Sequence, residues 1–268
     1  MHDSDATHDA PLLQLEQVSV PLGGRDIIVG LDLEVRAGER VALLGANGAG
    51  KSTLLRAACG IVPASEGRIL LAGEPLAALS HRARARRVAL ATQELQAGTG
   101  WTVRELVALG RGPWRGLGAA TARDAAAVDA ALEAFDLTSF AARRVDRLSG
   151  GERRLVHLAR THAQETPLLL LDEPLAHLDL AHARTALDAI DATLEARGGA
   201  AVTVLHEPAH ALAWASRIVL LRDGAVLADV APSALDGELL SACYATPVQL
   251  VRDAQGRAIG VSRDAPRG

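Results

Sequence analysis

The stretch Gly45-Ala46-Asn47-Gly48-Ala49-Gly50-Lys51-Ser52-Thr53 constrains this chain more than any other. It fits G-x-x-x-x-G-K-[ST] without substitution. It follows the apolar run Val41-Ala42-Leu43-Leu44, which reads as a buried strand, and precedes Leu54-Leu55-Arg56-Ala57-Ala58, which reads as a helix. In that setting the pattern means a phosphate site. The glycines let the loop wrap with successive backbone N–H groups turned inward, and the helix N-terminus adds partial positive charge at the same spot. Lys51 supplies a full charge to β- and γ-phosphates, and the Ser52 hydroxyl is a hard oxygen ligand for Mg²⁺. Lys51 is also the only lysine among 28 basic residues, the rest being arginine. A slim ammonium fits among phosphates where a planar guanidinium does not.

The bulk properties narrow the setting. With 268 residues, 49% of them hydrophobic and 22% charged, the chain has a globular balance. A net charge of −4 and the lack of a basic stripe disfavour nucleic acid as a partner. No apolar run reaches membrane-spanning length and no signal peptide is evident. Cys59 and Cys243 show no metal or redox spacing, which suggests a reducing compartment.

Residues 1–10 are polar and acidic and are expected to be a disordered leader, with one domain over 11–268. Alternating patterns predict strands at 13–20 and 31–35, the second ending in a hairpin signal at Ala37-Gly38. Further strands are expected at 67–73 and 88–91. From about 94 to 166 the pattern becomes helical, and this stretch reads as an inserted subdomain. It includes a possible capping box at Thr102-Val103-Arg104-Glu105, a long Ala-rich helix over 121–134, and a helix from Gly150 with Ser149 as N-cap. Beyond it come buried strands at 168–172 and 201–205, helices at 182–197 and 208–215, a hairpin around Asp223-Gly224, and a last hairpin over 248–261.

Two further motifs bear on the phosphate loop. Leu168-Leu169-Leu170-Leu171 ends in Asp172-Glu173. At the carboxyl end of a strand beside a phosphate loop, Asp172 can hold Mg²⁺, and Glu173 can orient and polarise an attacking water. Leu148-Ser149-Gly150-Gly151-Glu152 stands at a helix start, Ser149 lying 23 residues before Asp172. A capped, glycine-opened helix end is an anion site, and two helical glycines cost about 1 kcal/mol each if they serve no purpose. A chain with one complete phosphate loop and a second, incomplete phosphate-facing surface suggests that the second serves a nucleotide held by another copy. A two-fold arrangement would then place each Ser149 against the partner copy's Lys51 site.

These motifs, in this order and spacing, resemble the ATPase subunits of ABC transporters, over residues of about 12 to 250. The resemblance implies a P-loop NTPase α/β core with an antiparallel β-subdomain and an inserted helical subdomain. It matches residues 45–53 to the Walker A loop, 148–152 to the signature and 168–173 to Walker B. It further implies that Gln93 is the Q-loop glutamine, sensing Mg²⁺ and the transport partner, that Leu178-Asp179 is the D-loop, and that His206 is the switch histidine on the γ-phosphate. ATP and Mg²⁺ follow as ligands. A second copy, membrane permease subunits and, indirectly, a substrate-binding protein follow as partners, at the cytoplasmic face of the cell membrane. Residues 102–113 and Leu178-Asp179-Leu180-Ala181-His182 resemble importers of iron–siderophores, haem and cobalamin. Other ABC importers, exporters, and soluble ABC ATPases acting on ribosomes or DNA are the alternatives.

Four features depart from the pattern or compete with it. Leu22 stands where the family usually stacks an aromatic on adenine, so either base selectivity is weak or another residue covers the ring. Arg153-Arg154 replace the usual glutamines, and His177 is unusual in the D-loop. His206-Glu207-Pro208-Ala209-His210 matches the zinc-protease pattern H-E-x-x-H, yet Pro208 opposes the continuous helix that pattern needs. Trp101 and Trp114 are either core of the helical subdomain or walls of a groove for a membrane-subunit helix.

Overall fold

The computed structural model describes residues 10–92, 100–115, 119–253 and 258–262. The leader expected over residues 1–10 therefore lies outside the described residues, Ala10 excepted. The chain opens with β1 (Leu13–Leu22) and β2 (Arg25–Val35), joined at Gly23-Gly24, where both glycines take positive φ. β3 (Arg40–Leu44), α1 (Lys51–Ala58), β4 (Glu66–Leu71), β5 (Glu74–Pro75), α2 (His81–Ala85) and β6 (Val88–Ala91) follow. The helical stretch contains α3 (Val103–Ala108), α4 (Ala122–Ala134) and α5 (Gly150–Ala163). Next come β7 (Leu168–Asp172), α6 (Leu180–Arg197), β8 (Ala200–Val204), α7 (Pro208–Trp214), β9 (Arg217–Arg222) and β10 (Ala225–Val230). α8 (Gly237–Tyr244) and the antiparallel pair β11 (Gln249–Arg252) and β12 (Ala258–Ser262) close the described chain.

Two sheets form the body. One is antiparallel, in the order β2-β1-β4-β5. The other runs β10-β9-β3-β8-β7-β6, with every neighbour parallel except the β9–β10 hairpin. The central strands are covered on both faces, and β7 and β8 are buried at every position. Burial on both faces explains their continuous apolar runs. Alternation still sorts their side chains. Val41, Leu43, Leu168 and Leu170 pack toward α1 and the antiparallel sheet. Ala42, Leu44, Leu169 and Leu171 pack toward α3, α4 and α5.

One expected turn is corrected. Ala37-Gly38 does not close a hairpin. β2 pairs with β1, and the chain then crosses to the parallel sheet, where β3 lies between β8 and β9. Gly38 stays in a positive-φ turn, and its N–H donates to the Gly199 carbonyl at 2.8 Å.

The helices start where their caps dictate. Thr102, Thr121 and Ser149 each accept from the backbone N–H three residues on, and Glu105, Asp124 and Glu152 reach back to complete three capping boxes. α6 begins at Leu180, two residues before the expected start, because Asp179 caps it by accepting from the His182 N–H at 2.8 Å. The helical stretch is tied together by Arg111, only 1% exposed. It donates to Asp124 on α4 at 3.0 Å, and to the Ala163 carbonyl and Glu165 beyond α5, each at 2.7 Å.

Candidate nucleotide site

The loop 45–50 joins the carboxyl end of β3 to α1, as the residue pattern requires. Gly45, Gly48 and Gly50 all have positive φ. At Gly45 and Gly50 space matters too. A Cβ on Gly45 would sit 2.4 Å from the Leu221 carbonyl oxygen, and one on Gly50 would sit 2.6 Å from Ile28 Cδ1. Lys51 is 6% exposed, and its Nζ donates to the carbonyls of Gly45 and Ala46 at 2.7 and 2.9 Å. The ammonium therefore spans its own loop. Burial pushes its pKa down from the ordinary lysine value, against the opposing pull of Glu173, Cys243 and Asp172. Anionic phosphates would relieve that desolvation.

The strand-end acids stand across from the loop. Ser52 Oγ donates to Asp172 Oδ1 at 3.0 Å. Asp172 is 3% exposed, and burial raises its pKa. A hydroxyl and a buried carboxylate facing one another are the hard-oxygen donors that Mg²⁺ takes. Glu173 follows in the left-handed region, φ 53, and its Oε1 lies 2.6 Å from His206 Nε2. Lys51, Ser52, Thr53, Asn47, Gly48, Gly50 and Glu173 line one cavity of about 300 Å³, together with the apolar side chains of Leu22 and Ile27. Ala49 sits in the loop, buried beneath it.

The structure keeps the other half of the motif set apart. None of residues 148–152 lines that cavity. Ser149 instead caps α5, taking the Glu152 N–H at 3.2 Å while its own N–H donates to Glu152 Oε2 at 2.7 Å. The first-turn N–H groups of Gly150 and Gly151 have no partner within the helix. Gly151 abuts Leu178 and His182 around the start of α6. His177 has φ 63 and lines a cavity of about 600 Å³ with Asp179, Glu173 and His206. Gln93 lies outside the described residues.

The zinc reading fails. α7 begins at Pro208, so His206 precedes the helix and the two histidines do not share a helical face. Among the described residues, no group of three or more His, Cys, Asp and Glu side chains is placed to hold a metal ion. The tryptophans part company. Trp114 is pinned in the joint between subdomains, with Nε1 donating to the Gln164 carbonyl at 2.6 Å and the Arg86 guanidinium 4.9 Å over its ring. Trp101 is 42% exposed. None of the chain's three tryptophans, two phenylalanines and one tyrosine lines this cavity, so Leu22 and Ile27 supply its large apolar side chains.

The family model described as "ABC transporter" matches residues 28–176, more than half the chain and spanning the phosphate loop, the signature and the strand-end acids. The chain belongs to the ABC transporter family. It is an ATP-hydrolysing subunit of that family. The hemin import ATP-binding protein HmuV of Streptomyces coelicolor is 46% identical over 232 residues, covering 86% of this chain and 82% of that protein. The cobalamin import ATP-binding protein BtuD of Halobacterium salinarum is 37% identical over 251 residues, 93% of this chain and 63% of that one. Among solved structures, a chain of an inward-facing ABC transporter described as of metal-chelate type superposes with a TM-score of 0.78 at 25% identity, covering 96% of this chain and 98% of that one. No helix of the described residues is long and apolar enough to cross a membrane.

Proposed function

We propose that this chain powers uptake of a metal chelate of the haem class through separate membrane permease subunits, working as a head-to-tail dimer that closes on two Mg·ATP. The chain acts peripherally, at the cytoplasmic face of the cell membrane, and a substrate-binding protein delivers cargo on the far side. The 46% identity to the Streptomyces coelicolor hemin import protein, against 37% to the Halobacterium salinarum cobalamin protein, supports haem as the cargo. The dimer reading rests on one observation: the cavity gathers Lys51, Ser52 and Glu173 and leaves Ser149 and Gly151 outside it.

In this reading the loop amides, with Lys51 and Thr53, hold the phosphates. Ser52 and Asp172 hold Mg²⁺, joined by Gln93. When bound, the metal neutralises charge on the β- and γ-phosphates. Glu173 positions a water and takes its proton, while His206, in contact with Glu173, holds the γ-phosphate. Ser149, Gly150 and Gly151 of the second copy close the site from the other side, their open amides at a helix N-terminus facing the anion. Closure on ATP and reopening after hydrolysis move the permease.

Glu173→Gln removes the proton acceptor and keeps the shape. It is expected to bind ATP within about 3-fold of the wild type and to lose turnover by about 1000-fold. Nucleotide titration beside steady-state phosphate release measures both, and wild-type turnover in this variant removes Glu173 from its role.

A further inference from the structure

Arg154 sits on the second turn of α5, is 5% exposed, and is not among the residues lining the nucleotide cavity. Its guanidinium meets backbone. Nη1 donates to the Thr92 carbonyl at 3.0 Å, Nη2 to the Asp172 carbonyl at 2.9 Å and to the Glu173 carbonyl, and Nε to the Pro174 carbonyl at 3.3 Å. Thr92 directly follows β6, and Asp172, Glu173 and Pro174 carry the chain out of β7. One planar fork thus fastens α5 to the ends of two adjacent parallel strands. Lysine has no such fixed fork of donors, and a glutamine amide offers only two N–H groups. Burial pushes the Arg154 pKa down from its ordinary value, opposed by Asp172 and Glu173.

The grip matters because of where it falls. Glu173 has φ 53, a left-handed conformation that a residue with a Cβ adopts only when its surroundings hold it there. The carbonyl that Arg154 holds belongs to that same residue, so the set of the 173–174 peptide, and with it the aim of the Glu173 carboxylate at His206 and the cavity, depends on α5. The same helix begins at Ser149, five residues and about 7.5 Å of helical rise away. Helix α5 therefore has one end at the signature, which faces the partner copy's nucleotide, and a side chain fixed to the acid that serves its own.

We propose that Arg154 is a positioning residue that couples the two nucleotide sites, setting Glu173 of one site according to whether Ser149 of the same chain has engaged the nucleotide of the other. This rests on the roles of Glu173 and Ser149 proposed above. The coupling travels through a rigid helix and a set of directed hydrogen bonds, a contiguous physical link between the two sites.

The test uses the full chain with Mg·ATP and compares Arg154→Gln, Arg154→Lys, Ser149→Ala and the Ser149→Ala/Arg154→Gln double variant, with Glu173→Gln as the floor. Steady-state turnover, its Hill coefficient for ATP, and ATP affinity are read together. The expected wild-type Hill coefficient exceeds 1. Arg154→Gln should bring it to 1 and lower kcat by about 30-fold, with ATP affinity held within about 3-fold. Arg154→Lys should fall between, and it carries the test alone if the glutamine variant does not fold. The double variant should lie within about 3-fold of the worse single variant and above the floor, because both changes cut one link. A wild-type coefficient of 1, unchanged kcat in both Arg154 variants, or losses that multiply in the double variant would overturn the coupling. Wild-type turnover in Glu173→Gln would instead remove the site reading beneath it.

Discussion

The two phosphate-facing surfaces of this chain are built to different standards. The loop at residues 45–53 is anchored between β3, buried in the middle of a parallel sheet, and α1, with Lys51 bonded to its own loop carbonyls and Ser52 to Asp172. It is formed and internally satisfied in a single copy. The surface at Ser149-Gly150-Gly151 stands at the exposed end of a helix, capped by its own Glu152, and the helical stretch behind it is fastened by arginines: Arg111 within it, Arg86 and Arg154 to the core. The first surface is preorganised to bind. The second is left open at a helix end, its helix packed by apolar side chains against the parallel sheet and joined to the β7 strand end by the directed hydrogen bonds of Arg154.

The sharpest break between them should come from Lys51→Ala set beside Ser149→Ala. Losing the buried ammonium should abolish turnover by about 1000-fold and weaken ATP binding with it, whereas losing the Ser149 hydroxyl should leave single-chain ATP affinity within about 3-fold and lower only turnover. Equal loss of affinity in both variants would erase the distinction.

Acid should separate the regions next. His157 and His162, both on α5, are held down to about 4 by burial, with Arg160 pressing on His157 and Arg197 on His162. They fold neutral, so their contribution is complete above the ordinary histidine pKa of about 6.5 and is lost as pH falls from there toward 4. Each is worth at most about 3 kcal/mol. Thermal melts followed by circular dichroism should show the melting temperature falling over that window, and His157→Phe should flatten the fall. A melting temperature flat from pH 7 to 4.5 would contradict it.

The smallest effect concerns the base. Leu22→Tyr should supply the stacking surface that the cavity lacks, worth on the order of 1 kcal/mol, and tighten ATP about 5-fold. Competition titration measures it, and unchanged affinity would mean that the base lies elsewhere.

How much of this was legible in the sequence follows from the range of the interactions involved. The phosphate loop, the strand-end acids and the signature cap are local patterns whose meaning rides on adjacent residues, and they stand at the expected strand ends and helix starts. The Ala37-Gly38 turn does not reveal its course locally, because an alternating strand ending in glycine looks the same whether the chain folds back or crosses to another sheet. Arg154 could be noticed as a departure but not explained, since one of its acceptors is the Thr92 carbonyl, 62 residues away. The Arg111 clamp escaped for the same reason, its acceptor at Ala163 being 52 residues distant. Helix α8 carries a local signal of its own, the Asp236 side chain capping it by accepting from the Leu239 N–H.

The central claim, that each working site is assembled from two copies, is tested most directly by mixing two inactive chains. Lys51→Ala spoils only the loop surface and Ser149→Arg only the signature surface, so a mixed dimer contains one site with both surfaces intact. Random pairing makes half the dimers mixed, so ATPase activity should rise above both parents to at most about a quarter of the wild-type value. The Arg154 coupling lowers it further, because the intact site's Glu173 shares a chain with the altered Ser149. A mixture no more active than either parent would contradict the claim.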